Sequence, residues 1–479
     1  MRKLYENNSL VLAGLIIIQL VVCLPFITSF PIALDEPFSI FWAQQDLSEM
    51  STLFKTENNP PLHFVLLHFW IKLFGISAFA VRSLSLVFSL ISVAILFKLA
   101  LKFLSKEISI FVVLLFITSS FNHFHALEAR TYSLVVLLFM LILYDLFVLL
   151  FEEKKTFWRL SIWNALLLYS HYLGPFIVGV ELFLILIFIK NIPKKRIVYF
   201  LLSFLVALII FLPGLRWFLL RLNNFSDTGT WVPAPEYSEL YGNVVRFFNG
   251  KYAVLALLFL IALFAMMNRK SILTQSKLAI TSNKNRFILM AFLLSYFGMF
   301  VFSKLIQPIF LDRYLLYTTV PLFILFGIVC QMILVKSKYF LVFLLLIPLC
   351  VASNWMPEND RAPDEEANYV RTIRKTESTI VNCPPYYDLT FLYHFDRAAF
   401  SNYQELKEYK EQSDFYSIYS IQELVLAPCI KQVIYIDNNS DKIFPNNGIY
   451  NGLTKDHSLV DSKAFAGGTV IYNFIIKPN

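Results

Sequence analysis

The sequence holds 479 residues, of which 57% are hydrophobic and only 15% charged. A soluble globular chain carries roughly 25% charge, so this one must bury apolar surface in something other than its own core. The net charge of +8 then reads mainly as a topology signal, and no nucleic acid is implied as a partner.

The apolar residues come in blocks of about 20, the length of a helix that crosses hydrocarbon, without the alternation of a membrane β-barrel. The first block, residues 10–30, follows Arg2 and Lys3. It is long for a signal peptide and no small-residue cleavage site follows, so a retained anchor is expected. Further blocks fall at 79–101, 108–120, 132–151, 157–169, 173–189, 197–218, 253–267, 287–302, 315–335 and 340–352. The expected fold is therefore an α-helical polytopic membrane protein with about eleven transmembrane helices.

Basic residues orient it. Lys102 and Lys106, Lys154 to Arg159, Lys190 to Arg196, Arg269 to Arg286, and Lys336 with Lys338 all recur on the side of Arg2 and Lys3. That bias makes the side cytoplasmic. An odd number of spans then puts the C-terminal tail outside. The expectation is a multi-pass protein of the cytoplasmic (inner) membrane, with a transmembrane domain over 1–353 and a soluble extracytoplasmic domain over 354–479. The outer loops, 31–76, 121–131, 170–172, 219–251 and 304–314, are the place for chemistry.

The first outer loop (31–76) opens with Asp35 and Glu36 where the first span leaves the membrane. Such a pair is either a general base for an attacking hydroxyl or a solvated loop end capping the next helical segment. Glu57, Asn58, Asn59, Pro60, Pro61 and Leu62 follow. The prolines exclude helix before them, giving either a plain turn or a wall holding Glu57 and the Asn pair against a polar ligand. The apolar run 63–74 is expected to lie along or re-enter the membrane.

The second outer loop carries His123, His125, Glu128, Arg130 and Tyr132. Glu128 and Arg130 are either a surface pair of little energetic weight or, for the arginine, a fork for a lipid phosphate. Two histidines at i,i+2 on a helix diverge and make a poor metal pair. His171 sits at a tight outer turn, as an interfacial ring or a site residue. Lys304, Arg313 and Tyr314 lie on the outer side against the charge bias, which calls for anionic partners such as a phosphate; Asp312 is the dull alternative.

The tail changes composition. Short β-rich runs at 378–381, 432–436 and 469–475, separated by polar helical candidates at 365–375 and 402–412, predict a small α/β domain. Cys383 and Cys429 fall in this tail, where an oxidising compartment would permit a disulfide.

Taken in order, these segments resemble the GT-C class of membrane glycosyltransferases, specifically the superfamily of protein O-mannosyltransferases and aminoarabinose transferases. The resemblance rests on Asp35-Glu36, Asn59-Pro60-Pro61-Leu62, Gly75 and Arg82, Glu128 to Tyr132, Tyr169 to Tyr172, and Arg313-Tyr314-Leu315 with Pro321. One departure is Asn59, where many relatives have His. The resemblance implies inverting transfer of a sugar from a polyprenyl-phosphate donor (undecaprenyl phosphate in a bacterium) to a hydroxyl or amine of a lipid, protein or glycan acceptor, among membrane lipids. It makes Asp35 the base, assisted by Glu36, and Arg130, Lys304 and Arg313 the phosphate-binding cations. Glu57, Asn59, Glu128, Tyr132, His171 and Tyr314 would bind substrate, and Glu36, Glu57 and His171 would hold a divalent metal ion if one is used. The rival is a lipid-linked-sugar flippase, which would set ionisable residues at mid-membrane depth. Asp145 and Glu181 are the main acidic residues within spans and have no partner legible in the sequence.

Overall fold

Inside lipid each backbone N–H and C=O must be satisfied within its own segment, so uninterrupted apolar blocks become helices. The computed structural model describes residues 7–54, 59–152, 156–228, 232–268, 282–334, 336–356, 361–413 and 415–477. Among these, six helices are long and apolar enough to cross a membrane: Asn8–Phe26, Ala78–Ala100, Tyr132–Phe151, Lys194–Arg221, Asn283–Leu305 and Asp312–Ile333. Two bent pairs add up to two more. Lys106–Thr118 meets Ser120–Ala126 at 66°, and Tyr237–Phe247 meets Lys251–Met267 at 75°.

The gap from eleven lies in the short blocks. Residues 157–169, 173–189 and 340–352 give the helices Phe157–Leu168 and Gly174–Phe188 and the short pair Lys336–Leu345 and Leu346–Ala352. Each of these is shorter than the roughly 20 residues of a straight crossing.

The chain divides into two compact units. The first comprises Met1–Ile27, Ser51–Leu66 and Arg82–Trp355. Its core runs through the spans, from Val93 and Leu96 through Phe111, Phe139 and Phe147 to Phe287 and Phe323. The two acidic residues whose partners the sequence does not show have them in this unit. Asp145 accepts from Arg159 and from Trp163 Nε1 at 2.9 Å, and Glu181 accepts from Asn164 Nδ2 at 3.0 Å. Both are helix–helix ties, which weakens the flippase reading.

The second unit comprises Met356–Asn479 together with Thr28–Met50 and Leu67–Val81. Two pieces of the first outer loop thus fold with the tail. Among its described residues the tail holds five strands: β1 (Ser378–Cys383), β2 (Phe415–Ser417), β3 (Gln432–Asn438), β4 (His457–Ala464) and β5 (Thr469–Ile476). Their order is β2-β1-β3-β5-β4, with β1 parallel to β2 and β3 and the last two pairings antiparallel. β1, β3 and β5 follow their apolar runs. β2 is too short for a pattern, and β4 is an exposed edge without one. The helix Tyr403–Gln412 begins where Asn402 caps it, its side chain accepting from the Glu405 N–H at 2.7 Å. Cys383 and Cys429 are not bonded to each other; the first is buried and the second exposed.

One carboxyl in this unit gives a pH test. Glu366 is buried and accepts from Tyr387 Oη at 2.7 Å, and burial raises its pKa above the ordinary 4.5. The folded state therefore binds the proton more tightly than the unfolded one, so stability is fullest below 4.5 and falls as pH rises through the raised value. In Glu366→Gln, hydrogen exchange of the Pro363–Ile373 amides should be slower than wild type at pH 8. The difference should close towards pH 5.

Candidate active site

In the second unit, Asp35 stands at the first turn of the helix Glu36–Gln44, with Pro37 inside that turn. Its side chain makes no capping hydrogen bond, which removes the simple capping role. Asp35 is half-buried and Glu36 is buried. The preceding residue, Leu34, has φ +58°, a left-handed backbone that costs a residue with a Cβ about 1–2 kcal/mol. Strain of this kind persists only where the surroundings hold it.

The remaining candidates lie in the first unit. Asn59 is buried, and the turn after it is tied down where the Leu62 N–H donates to the Tyr169 carbonyl at 2.9 Å. Glu57 lies outside the described residues. Glu128 and Arg130 are both buried, so they are not a surface pair. Glu128 Oε2 instead meets His125 Nδ1 at 2.8 Å, and its carbonyl accepts from Ser85 Oγ at 2.6 Å. His123 turns away to the Trp355 carbonyl at 3.0 Å, so the two histidines diverge as their spacing predicts.

The turn carrying His171 is built by close approach. Thr131 Oγ1 donates to the Ser170 carbonyl at 3.0 Å, joining the second and third outer loops. Tyr169 Oη donates to the Ile210 carbonyl at 3.0 Å and accepts from the Gly214 N–H at 3.2 Å. It thereby enters the backbone ladder of the Lys194–Thr228 helix beside Pro213, where a proline has removed a donor. Gly214 is required there, because a Cβ would lie 2.6 Å from Tyr169 Cε1.

His171 faces Tyr314 edge-on at 4.9 Å, and Tyr132 stands 6.2 Å from His171 and 6.4 Å from Tyr314. The Arg313 guanidinium lies 5.9 Å from both tyrosine rings. Together they line a small cavity of about 10 Å³, room for about one water molecule. Burial first, then the charges of Arg130 and Arg313, push the His171 pKa down to about 3, so its ring is neutral. Its Nδ1 accepts from the Leu173 N–H at 3.1 Å, which places the proton on Nε2. That buried Nε2–H has no hydrogen-bond partner among the described residues. The pocket therefore has a neutral N–H donor, a guanidinium and two phenols, a set suited to an oxyanion.

Lys304 does not join it. Its ammonium is exposed over the Tyr237 and Phe300 rings, at 5.3 and 5.9 Å. Asp312 pairs with Arg246 and accepts the Arg313 backbone N–H. His63 is a residue the sequence reading passed over. It is buried within electrostatic reach of Arg130, with Nε2 unpartnered among the described residues. Its signal was its place directly after Pro60, Pro61 and Leu62. Among the described residues no group of three or more His, Cys, Asp or Glu side chains stands together to hold a metal ion.

A pH test follows for His171. Because the ring stays neutral across pH 5–8, His171→Gln, which keeps an N–H donor, should leave the shape of the pH–rate profile unchanged. His171→Phe should lower the rate about 10-fold or more for want of one preorganised donor.

Residues 58–217 match a family model described as dolichyl-phosphate-mannose-protein mannosyltransferase. Among solved structures, the chain is similar to ArnT of Cupriavidus metallidurans in the apo state, with a TM-score of 0.60 at 11% identity over 98% of this chain and 99% of that one. ArnT bound to undecaprenyl phosphate gives 0.59 at 11% identity over the same shares. The Archaeoglobus fulgidus oligosaccharyltransferase, crystallised in complex with Zn and sulfate, gives 0.53 at 12% identity over 96% of this chain and 72% of that one. No curated protein matches the sequence. At such identities the structural likeness speaks for the fold, and the fold is that of these membrane enzymes.

Proposed function

We propose that the chain is a membrane glycosyltransferase of the GT-C class, a reading supported by the family match over 58–217 and the shared fold, and that it moves a sugar from a polyprenyl-phosphate donor to an acceptor hydroxyl or amine at the outer face of the cytoplasmic membrane. The observation that carries this is the pocket of Arg313, His171, Tyr132 and Tyr314, with the buried charge of Arg130 acting on it. Its chemistry fits a phosphate better than a neutral sugar.

In the reaction, the acceptor lone pair attacks the anomeric carbon while Asp35 takes the acceptor proton. The bond from that carbon to the phosphate oxygen breaks, and its electron pair leaves with the polyprenyl phosphate. Charge on the phosphate grows along this path. Arg130, Arg313 and the His171 N–H then hold the transition state more tightly than the ground state. Glu36, Asn59, Glu128, Tyr132 and Tyr314 orient donor and acceptor. Lys304 is left as a contact for the lipid headgroup layer.

The test is transfer of radiolabel from polyprenyl-phosphate-linked sugars in membranes with and without the overproduced chain. Chain-dependent cleavage of the sugar–phosphate bond, with free polyprenyl phosphate released, is the expected result. Donor that changes leaflet with its sugar still attached would sink this reading in favour of the flippase.

A further inference from the structure

The second unit joins two stretches of the first outer loop to the tail, and one set of joining contacts comes from a short helix of the tail, Asp388–Phe395. His394 Nε2 lies 2.7 Å from the Ile32 carbonyl oxygen, so Nε2 carries the proton and donates. The neighbouring Tyr393 Oη donates to the Ile76 carbonyl at 2.7 Å, gripping the other stretch. The end of this helix is itself fixed: Arg371 Nη2 donates to the carbonyls of His394 and Phe395 at 2.5 and 2.7 Å. A second set of contacts binds the far end of the Glu36–Gln44 helix. Gln44 Nε2 donates to the Phe400 carbonyl at 3.1 Å, and the Tyr403 N–H donates to Gln45 Oε1 at 2.8 Å. Trp42 stacks on Tyr403 with centroids 6.1 Å apart.

Asp35 sits between these two clamps, three residues beyond Ile32. Between them the chain makes its left-handed step at Leu34, and the Glu36 N–H closes the turn on the Ala33 carbonyl at 3.2 Å. A turn with that strain relaxes unless its ends are held. We propose that the C-terminal unit positions Asp35, and that His394 is the positioning residue, holding the Ile32 carbonyl so that the Leu34 turn keeps its shape. The effect on transfer rests on the reading of Asp35 as the base; the effect on the turn does not.

Two substitutions in the full-length protein separate donor from bulk. His394→Phe keeps a ring and loses the N–H, whereas His394→Gln offers an amide N–H at similar reach. In His394→Phe, hydrogen exchange of the amides of 33–36 should quicken at least 10-fold, with little change at the Gln432–Asn438 strand. The kcat for transfer should fall about 10- to 100-fold, as for a misplaced reacting group, with the donor KM within about 3-fold. His394→Gln should restore most of both. Unchanged exchange at 33–36 in a folded His394→Phe overturns the proposal, as does a fall in transfer carried by KM alone. If Asp35→Asn transfers like wild type while His394→Phe still frees the turn, the assignment of Asp35 fails and the clamp stands.

Discussion

Asp35→Asn should reduce sugar transfer by about 10²–10⁴-fold, the usual weight of a positioned general base, while leaving the protein folded and inserted. Folding should survive because Asn keeps the shape of the Asp35 side chain at the start of the Glu36–Gln44 helix. Asn also tolerates turn conformations well, so the Leu34–Asp35 step keeps its local chemistry. Loss of the proton acceptor is then the main change, and it should appear in kcat with little effect on donor KM. Glu36→Gln is the sharper control. Glu36 is buried next door and has the same chemistry, yet it lies inside the helix that Asp35 precedes. If Glu36→Gln abolishes transfer and Asp35→Asn does not, the base has been placed one residue too early. The readout is initial rate from a labelled polyprenyl-phosphate sugar, at matched protein in the membrane fraction.

The sequence made some of this legible for plain physical reasons. Long apolar blocks such as 132–151 and 287–302 allow one structure in lipid, and helices stand there. The polar helical candidate at 402–412 stands as the helix Tyr403–Gln412. What stayed hidden was long-range. The ring of His171 meets Tyr314, and Glu128 meets His125, through contacts set by how helices pack. The same holds for Asp145 with Arg159 and for Glu181 with Asn164, which the sequence left without partners. The role of His394 was least visible, since its acceptor is a backbone carbonyl 362 residues away. Lys304 shows how position can differ from expectation. A basic residue on the outer side read as a phosphate ligand, while the structure sets it over two aromatic rings on the surface.

Arg313 carries the second large effect. Arg313→Gln should lower transfer about 10²–10³-fold, and Arg313→Lys should recover only a small part of it. The reason is geometric. A guanidinium presents a planar fork that fits a phosphate while lying 5.9 Å from the Tyr132 and Tyr314 rings, whereas an ammonium is a point charge without that fork. Charge alone would predict near-full rescue by lysine; fork geometry predicts poor rescue. Arg130 distinguishes the role further, because its charge and that of Arg313 both act on His171. If the two arginines share one phosphate, Arg130→Gln and Arg313→Gln combined should cost less than the sum of their separate free-energy losses, since the first already releases the anion. If each grips a different group, the losses should add. Binding of polyprenyl phosphate without a sugar, measured on the same four proteins, completes the cycle. A phosphate site should lose ground-state affinity less than it loses rate, because the charge on the leaving oxygen is largest in the transition state.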